Sequence, residues 1–275
     1  MTAPFQDSRR PAPAGSLGSA FDRGHPALVT YLMAGFPDRD TSLASIVAAA
    51  GAGADLIELG VPYADPLADG PTIVDAADVS RAQPGGFGLA QTLALAGEIT
   101  ARAGMPPIAL MTYLNPMLSY GFPRLASDAA VAGIAGFIVP DLPPDSPLTP
   151  RWLDASRPHG LQTVFLVAPT STAERIKTVA RTAEGFVYVV SSVGVTGERG
   201  RLPEELPALV RRVREECDDR LPVAVGFGVS TPKQAADVAA LADGVIVGSA
   251  VVKRQRDPHE VAEFVRSLAH AVHGG

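Results

Sequence analysis

Eight short runs of apolar, often β-branched residues recur along this chain, and alanine-rich segments with helical spacing separate them. Continuous apolar runs are typical of strands that are buried on both faces, as in parallel sheets. Strict alternation of such strands with helices predicts an α/β fold built from βα units. The predicted strands cover residues 27–33, 55–61, 108–113, 136–139, 163–167, 186–191, 222–227 and 244–247.

The predicted helices are marked mainly by the way they begin. Several start at a proline that directly follows a Ser, Thr or Asp, which is a common signal at the first turn of a helix. The predicted helices cover residues 41–50, 89–101, 123–131, 150–156, 172–182, 203–216, 232–241 and 258–272.

A closed barrel and a doubly wound open sheet both fit this alternation, and two features favour the barrel. Eight is the number of strands that closes the common βα barrel, and 275 residues suit it. The glycine-rich turns follow the seventh and eighth predicted strands, whereas a dinucleotide-binding open sheet carries them after the first. We therefore predict a single (β/α)₈ TIM barrel over residues 17–275, preceded by a flexible tail over 1–16.

Composition restricts the class of protein. A net charge of −6 argues against a protein that binds the phosphate backbone of nucleic acids. The only cysteine, Cys217, excludes an internal disulfide, and its charged surroundings predict a half-exposed helix residue. No apolar stretch reaches the length of a membrane-spanning helix, and residues 1–16 lack the apolar core of a signal peptide. We expect a cytoplasmic protein that does not bind membranes.

The second predicted strand ends in a glutamate, Glu58, set among apolar neighbours. In a βα barrel the active site lies at the carboxyl ends of the strands. A carboxylate in the barrel mouth loses part of its hydration, which raises its pKa and allows it to carry a proton near neutral pH. Glu58 is therefore a candidate catalytic acid or base, and the alternative is a buried glutamate satisfied by a structural pair.

A long loop, residues 63–72, follows this strand and contains two aspartates. Asp65 precedes a proline and is readily explained as a turn former. Asp69 needs another explanation, because the Gly70-Pro71 pair already supplies a turn. A second carboxylate close to Glu58 would complete the pair that proton transfers require.

Glycine-rich segments follow the last two predicted strands, at residues 226–232 and 248–251. Glycines allow the backbone to approach an anion closely, and N–H groups at the start of a helix bind phosphate. Phosphate sites after strands seven and eight are usual in this fold. Together the two segments predict that the ligand carries a phosphate group.

The remaining candidate residues are weaker indicators of function. Residues 191–200 contain three glycines and predict either a mobile lid or a flexible connection, in which Gly197 could add an N–H group to the phosphate site. Tyr113 and Tyr188 lie in or next to predicted strands, where a tyrosine could bind substrate or only pack. The five histidines have no convincing metal-ligand spacing, so we expect no zinc site and no other metal.

At this point the motifs resemble those of a known family. Residues 58–73 read ELGVPYADPLADGPTI, which closely resembles the signature of the tryptophan synthase α chain. The resemblance continues in the same order through TYLNP at 112–116, PDLP at 140–143, GVTG at 194–197, GFG at 226–228 and GS at 248–249. It covers the chain from about residue 25 onward.

The resemblance implies a lyase of tryptophan biosynthesis. Such a lyase cleaves indole-3-glycerol phosphate to indole and glyceraldehyde 3-phosphate in a retro-aldol reaction without a metal or organic cofactor. Glu58 matches the family's acid/base, and Asp69 matches the carboxylate that binds the indole N–H. Thr196 matches a lid threonine that contacts the Asp69 position. The phosphate-binding positions are matched by Gly197, Gly228, Gly248 and Ser249, and the indole pocket by Tyr31, Tyr113, Tyr188 and Phe227.

The family's α chain works with a β subunit, a pyridoxal phosphate enzyme that receives the indole through a tunnel. The resemblance therefore implies a heterotetramer of α and β chains. Pro62, Asp65 and Asn115 match positions where the α chain usually meets its partner.

This chain departs from the family pattern near those contacts. Tyr63 and Ala64 replace a common Phe-Ser pair, Val74 replaces a frequent glutamine, and Ser192 and Val193 replace a more polar pair. These changes leave open a stand-alone lyase that acts without a β subunit. A non-catalytic activator of a β subunit and a different sugar-phosphate isomerase are further alternatives, which retention of both carboxylates and of the 58–73 motif disfavours.

Overall fold

The structure is a computed structural model that describes residues 12–191, 203–226 and 228–274. Within these residues eight parallel strands follow one another around a closed barrel in chain order. Closure is direct, since Ala27 of the first strand pairs with Gly244 of the last. The strands are β1 (Ala27–Met33), β2 (Leu56–Gly60), β3 (Ile108–Met111), β4 (Gly136–Ile138), β5 (Gln162–Val167), β6 (Val187–Val190), β7 (Val223–Gly226) and β8 (Gly244–Val247).

Helices separate the strands, as the alternation predicted, so the TIM barrel is confirmed and the open sheet is excluded. Asp38 and Thr231 cap their helices through side chains that accept the N–H of Thr41 and Gln234. The helices are α1 (Arg39–Gly51), α2 (Pro71–Arg81), α3 (Leu89–Thr100), α4 (Leu114–Tyr120), α5 (Phe122–Val131), α6 (Thr149–Ser156), α7 (Ala173–Thr182), α8 (Leu206–Glu216), α9 (Pro232–Ala239), α10 (Ser249–Val252) and α11 (Pro258–His273).

Each strand divides its side chains between two cores. Ile57 and Leu59 of β2 point outward and belong to the larger core between the barrel and the helices. Leu56 belongs to the smaller core inside the barrel, which also receives Tyr31 and Tyr188. The two-residue period of a strand therefore directs Glu58 to the interior as well.

Three α-helices were not predicted from the sequence, namely α2, α4 and the four-residue α10. α2 begins at Pro71, within the last two residues of the predicted 63–72 loop, and α4 follows β3. In both cases the preceding strand continues into a loop and an extra helix before the helix that packs on the barrel. These insertions enlarge the carboxyl-terminal end of the barrel.

A short 3₁₀ helix, Leu17–Phe21, closes the opposite end. The backbone N–H of Leu17 donates to Oε1 of Gln162 at 2.8 Å, and the ring of Phe21 lies 5.2 Å from that of Phe186. Leu17 is fully buried in the inner core. In the described residues these side chains fill the amino-terminal end of the barrel.

The expectation for Cys217 was wrong, because this side chain is fully buried. Cys217 follows α8 in the same stripe as Leu206, Val210 and Val213, at a spacing of three to four residues. The charged residues around it occupy the other face of the helix. None of the helices in the described part of the chain combines the length and apolar character that a membrane crossing requires.

Candidate active site

A cavity that is open to solvent lies at the carboxyl-terminal end of the barrel. It contains seven of the residues singled out in the sequence, from five strands or the loops that follow them. The cavity is lined by Tyr31, Glu58, Asp69, Ile73, Met111, Tyr188, Gly228, Val229, Ser230, Ile246, Gly248, Ser249 and Ala250.

Glu58 lies in the wall of this cavity, between Tyr31 of β1 and Ala109 of β3. It is 2% exposed, and its Oε2 has no hydrogen-bond partner among the described residues. Burial, followed by the negative charge of Asp69, raises its pKa to about 8. A glutamate in this state holds a proton at neutral pH and has a free oxygen for a ligand. The alternative, a glutamate whose carboxyl group is satisfied by a structural pair, does not describe Glu58.

Asp69 lies in the loop before α2 and has a partner. The hydroxyl of Tyr113 donates to its Oδ2 at 2.9 Å, and the N–H of Ala68 donates to the same hydroxyl at 3.2 Å. Burial raises the pKa of Asp69 to about 6, and the Tyr113 hydrogen bond partly opposes this by stabilising the charged form. Asp69 is therefore mostly ionised at neutral pH, whereas Glu58 is mostly protonated.

Two tyrosine hydroxyls reach the cavity by lying against glycines of neighbouring strands. A Cβ atom on Gly60 would lie 2.0 Å from the hydroxyl oxygen of Tyr31, and one on Gly226 would lie 2.6 Å from that of Tyr188. In each case the glycine stands two residues beyond the strand partner of the tyrosine. This role of Gly60 was not predicted from the sequence, and the strand register is the signal that would have revealed it.

The two glycine-rich segments meet at the rim of the cavity. Gly228 has a φ of 86°, which a glycine adopts without strain. Gly248 precedes α10, and a Cβ atom there would meet nothing nearer than Tyr31 Cβ at 3.6 Å. Ser230 already has a hydrogen-bond partner, because its N–H and hydroxyl both contact Oε1 of Gln234. Backbone N–H groups and the Ser249 hydroxyl on this rim are suited to an anion.

The sequence profile of one family, described as "Tryptophan synthase alpha chain", matches residues 18–272. The chain belongs to the tryptophan synthase alpha chain family. A tryptophan synthase alpha chain from Pelobacter propionicus is 45% identical over 259 residues, which cover 92% of this chain and 94% of that protein. One from Mycobacterium avium is 46% identical and covers 89% of each chain.

Solved structures agree with this assignment. A structure of Mycobacterium tuberculosis tryptophan synthase superposes with a TM-score of 0.86 at 43% identity and covers 94% of this chain and 98% of that one. The tryptophan synthase subunit alpha of Legionella pneumophila gives a TM-score of 0.81 at 30% identity, over 94% and 98% of the two chains. Membership of the tryptophan synthase alpha chain family confirms the predicted function, a lyase of tryptophan biosynthesis that cleaves indole-3-glycerol phosphate.

Some predicted residues of this alpha chain lie outside the cavity. Tyr113 reaches it only through Asp69. Pro62 is buried, while Asp65 and Asn115 are exposed, and the side-chain amide of Asn115 donates to the hydroxyl of Tyr63 at 3.1 Å. The predicted residues outside the described part of the chain are Ser192, Val193, Thr196, Gly197 and Phe227.

The cavity also contains residues that sequence reasoning did not single out. Met111 and Ile246 belong to the inner core and stand near the carboxyl ends of their strands, so their parity in the strand was the available signal. Ile73 comes from α2, whose existence was not predicted. These three side chains supply apolar surface next to the two carboxylates.

Proposed function

We propose that Glu58 and Asp69 divide the chemistry of indole-3-glycerol phosphate cleavage between a proton donor and an anion. The observation that carries the proposal is that both carboxylates line one cavity with pKa values of about 8 and about 6, on opposite sides of neutral pH. At pH 7 the dominant form has a protonated Glu58 and an ionised Asp69. Pairs of carboxyl groups with pKa values moved apart are typical of acid/base sites.

In the first step protonated Glu58 transfers its proton to the indole carbon that carries the side chain. The ring nitrogen becomes positively charged, and the Asp69 carboxylate accepts its N–H and stabilises that charge. The apolar side chains of Met111 and Ile246 pack against the ring. Because these groups exclude water, the interaction between the charged ring and Asp69 is stronger than it would be in solution.

In the second step the Glu58 carboxylate takes the proton of the hydroxyl group next to the indole. The oxygen's electron pair forms the aldehyde carbonyl, the carbon–carbon bond breaks, and its electrons return to the ring and neutralise the nitrogen. Indole and glyceraldehyde 3-phosphate result, and Glu58 is protonated again. The cycle needs no other reactant, and Tyr113 keeps Asp69 in place through both steps.

The substrate's phosphate is proposed to bind at the rim formed by Gly228, Gly248 and Ser249. Two observations support this proposal. These residues line the same cavity as the two carboxylates, and a Cβ atom on Gly248 would have no neighbour closer than 3.6 Å. Gly197 and the lid residue Thr196, outside the described residues, remain predictions for the same site. Tyr31 and Tyr188 would flank the indole, together with Phe227.

The roles of the carboxylates are tested by Glu58→Gln and Asp69→Asn in an assay of indole release. Glu58→Gln should lower kcat by about 10²–10⁴-fold, the usual contribution of general acid–base catalysis, while substrate binding changes little. Asp69→Asn should also lower kcat, because an amide stabilises the positive ring less well. Near-normal turnover in Glu58→Gln would contradict the mechanism.

The phosphate site is tested by a pair of substitutions at one position. Gly248→Ala should retain most of the substrate affinity, since its Cβ would have ordinary contact distances. Gly248→Asp should weaken binding by about tenfold or more through repulsion between charges. Equal affinities in the two variants would place the phosphate elsewhere.

We further propose that this chain acts with a β subunit, as the solved tryptophan synthase relatives suggest. Asp65, Asn115 and the buried Pro62 remain the proposed contact positions. Leu67 of the same loop is 76% exposed and Leu118 of α4 is 44% exposed, which supplies apolar surface for a partner. The alternative, a stand-alone lyase, rests on the departures at Ala64 and Val74.

A further inference from the structure

A second group of polar side chains lies at the amino-terminal end of the barrel, opposite the cavity. His25, Asp55 and His273 each offer one ligand atom, and these atoms lie within 4.8 Å of one another. His25 comes just before β1, Asp55 just before β2, and His273 from the last residue of α11. Three separate parts of the chain therefore contribute to one small cluster.

Asp55 forms the buried base of this cluster. Its carboxyl group is 3% exposed, and its Oδ2 accepts the backbone N–H of Leu28 at 2.8 Å. The Nε2 atom of His273 lies 2.8 Å from the same oxygen. The other oxygen, Oδ1, faces the guanidinium group of Arg23 at 3.4 Å. The carboxylate is thus held in one orientation, with Oδ2 directed toward the histidines.

His25 is oriented by a backbone carbonyl. Its Nδ1 lies 3.0 Å from the carbonyl oxygen of Pro26, and a carbonyl oxygen can only accept a hydrogen bond. This contact fits an N–H at Nδ1, which leaves Nε2 as the ring nitrogen that can face a ligand. A histidine that donates its second N–H to a carbonyl is the usual arrangement around protein-bound metals.

We propose that His25, Asp55 and His273 bind a divalent transition-metal ion, for which Zn²⁺ is the best match. Two imidazole nitrogens and one carboxylate oxygen, completed by water, form a common zinc ligand set. The ion would replace the hydrogen bond between His273 Nε2 and Asp55 Oδ2, and the single ring proton of the neutral imidazole would then be carried on Nδ1. Both imidazole rings are partly exposed, so the ion can reach them and the rings can adjust.

The close packing of α11 makes this arrangement possible. A Cβ atom on Gly53 would lie 2.8 Å from Cβ of Ala269, so the glycine permits α11 to approach the start of β2. The rings of His25 and His273 lie with their centroids 3.9 Å apart and their planes tilted by 36°. A bound ion would link the segment before β1 to the last turn of α11. Because the active site lies at the other end of the barrel, the ion would affect the stability of the fold and not the reaction.

This proposal differs from the expectation drawn from the spacing of the histidines. His25 and His273 lie near opposite ends of the sequence, and no local motif joins them. Only closure of the barrel, which pairs β1 with β8, brings both ends of the chain to the same place. The proposed metal site is independent of indole-3-glycerol phosphate cleavage.

The test uses the full chain, free of any affinity tag and treated with a chelator. Zn²⁺ titrated into this protein in a calorimeter should bind with one-to-one stoichiometry. Saturating Zn²⁺ should raise Tm by about 5 °C, because the ion binds the folded state. His273→Ala and His25→Ala should each weaken binding by at least about tenfold and remove the shift in Tm.

His270→Ala is the matched control, since His270 is exposed and lies one turn earlier on α11. It should bind Zn²⁺ as the wild type does. Co²⁺ provides a reading that does not depend on stability, because its visible absorption becomes intense in a four-coordinate protein site. Absence of binding to the wild type, unchanged binding by His273→Ala, or equal losses in His270→Ala and His273→Ala would each overturn the proposal.

Discussion

At the scale of single residues, Glu58 and Asp69 differ in their surroundings although both are carboxylates in one cavity. Glu58 is enclosed by strands, and its Oε2 has no hydrogen-bond partner among the described residues. Asp69 is in a loop and accepts a hydrogen bond from Tyr113. Burial raises both pKa values, but the hydrogen bond limits the rise for Asp69. The same side-chain chemistry therefore provides a proton donor and an anion at one pH.

These pKa values predict a bell-shaped dependence of kcat/KM on pH. Activity should fall as the pH drops through about 6, where Asp69 takes up a proton, and as it rises through about 8, where Glu58 loses one. In Asp69→Asn the residual activity should no longer fall near pH 6. The fall at high pH should move to lower pH, because the pKa of Glu58 is no longer raised by the negative charge of Asp69. Activity that keeps rising above pH 8 would contradict these assignments.

Glu58 should also reduce the stability of the folded protein at high pH. Its pKa is raised from 4.5 to about 8 on folding, so the folded state favours the protonated form. The contribution of Glu58 to stability is present below pH 4.5 and is lost as the pH rises through 8.

Denaturant unfolding at pH 5 and pH 8 checks this effect. From pH 5 to pH 8 the free energy of unfolding of Glu58→Gln should rise relative to that of the wild type by on the order of 3 kcal/mol. Asp65→Asn is a suitable control, because Asp65 is exposed. Parallel pH dependence in the wild type and Glu58→Gln would contradict the raised pKa.

The sequence was sufficient to identify the two carboxylates but not their partners. Glu58 and Asp69 stand at the end of a predicted strand and in the loop after it, where catalytic groups of a barrel collect. The hydrogen bond from Tyr113 joins loops after different strands, and the contact of Tyr31 with Gly60 depends on strand register. Such contacts between strands have no local signal in one sequence.

At the scale of secondary-structure elements, the amino-terminal 3₁₀ helix is as much a part of the barrel as the strands are. Leu17 lies against the ends of β4 and of the turn before β6, where a Cβ atom on Gly136 or Gly185 would come within 3.0 Å of its side chain. The predicted boundary at residue 17 stays a prediction, and burial of Leu17 supports it. The five described residues 12–16 precede this helix.

Truncation of Leu17 tests that boundary. Leu17→Ala should lower the free energy of unfolding by about 2–5 kcal/mol, since it removes a fully buried side chain from the inner core. Val131→Ala, which truncates a side chain that is 88% exposed, should change it by less than about 0.5 kcal/mol. Equal effects of the two substitutions in thermal or denaturant unfolding would show that the barrel begins after residue 17.

The elements missed in the sequence have a common physical cause. The start of α2 resembles a turn because Gly70 precedes the helix and Pro71 begins it. A proline at the first position of a helix, however, removes only an N–H group that has no helical partner. α4 and α10 have seven and four residues, too few for helical periodicity to show. Tertiary packing at the mouth of the barrel determines these helices.

At the scale of the whole molecule, closure of the barrel determines which distant residues meet. The alternation of strands and helices predicted the number and order of the strands. Together with the glycine-rich turns it also predicted a closed barrel, and therefore the meeting of the first and last strands. It did not predict that closure places His25 next to His273 at one end. The glycine-rich segments after β7 and β8 meet the β2 carboxylate at the other end for the same reason.

The most direct test of the central claim is indole release from indole-3-glycerol phosphate, measured for the purified chain alone and with a tryptophan synthase β subunit. We expect slow release by the chain alone and strong stimulation by the β subunit. Fast release that the β subunit leaves unchanged would contradict the proposed partnership and favour the stand-alone lyase. Absence of indole under both conditions would contradict the assigned reaction itself.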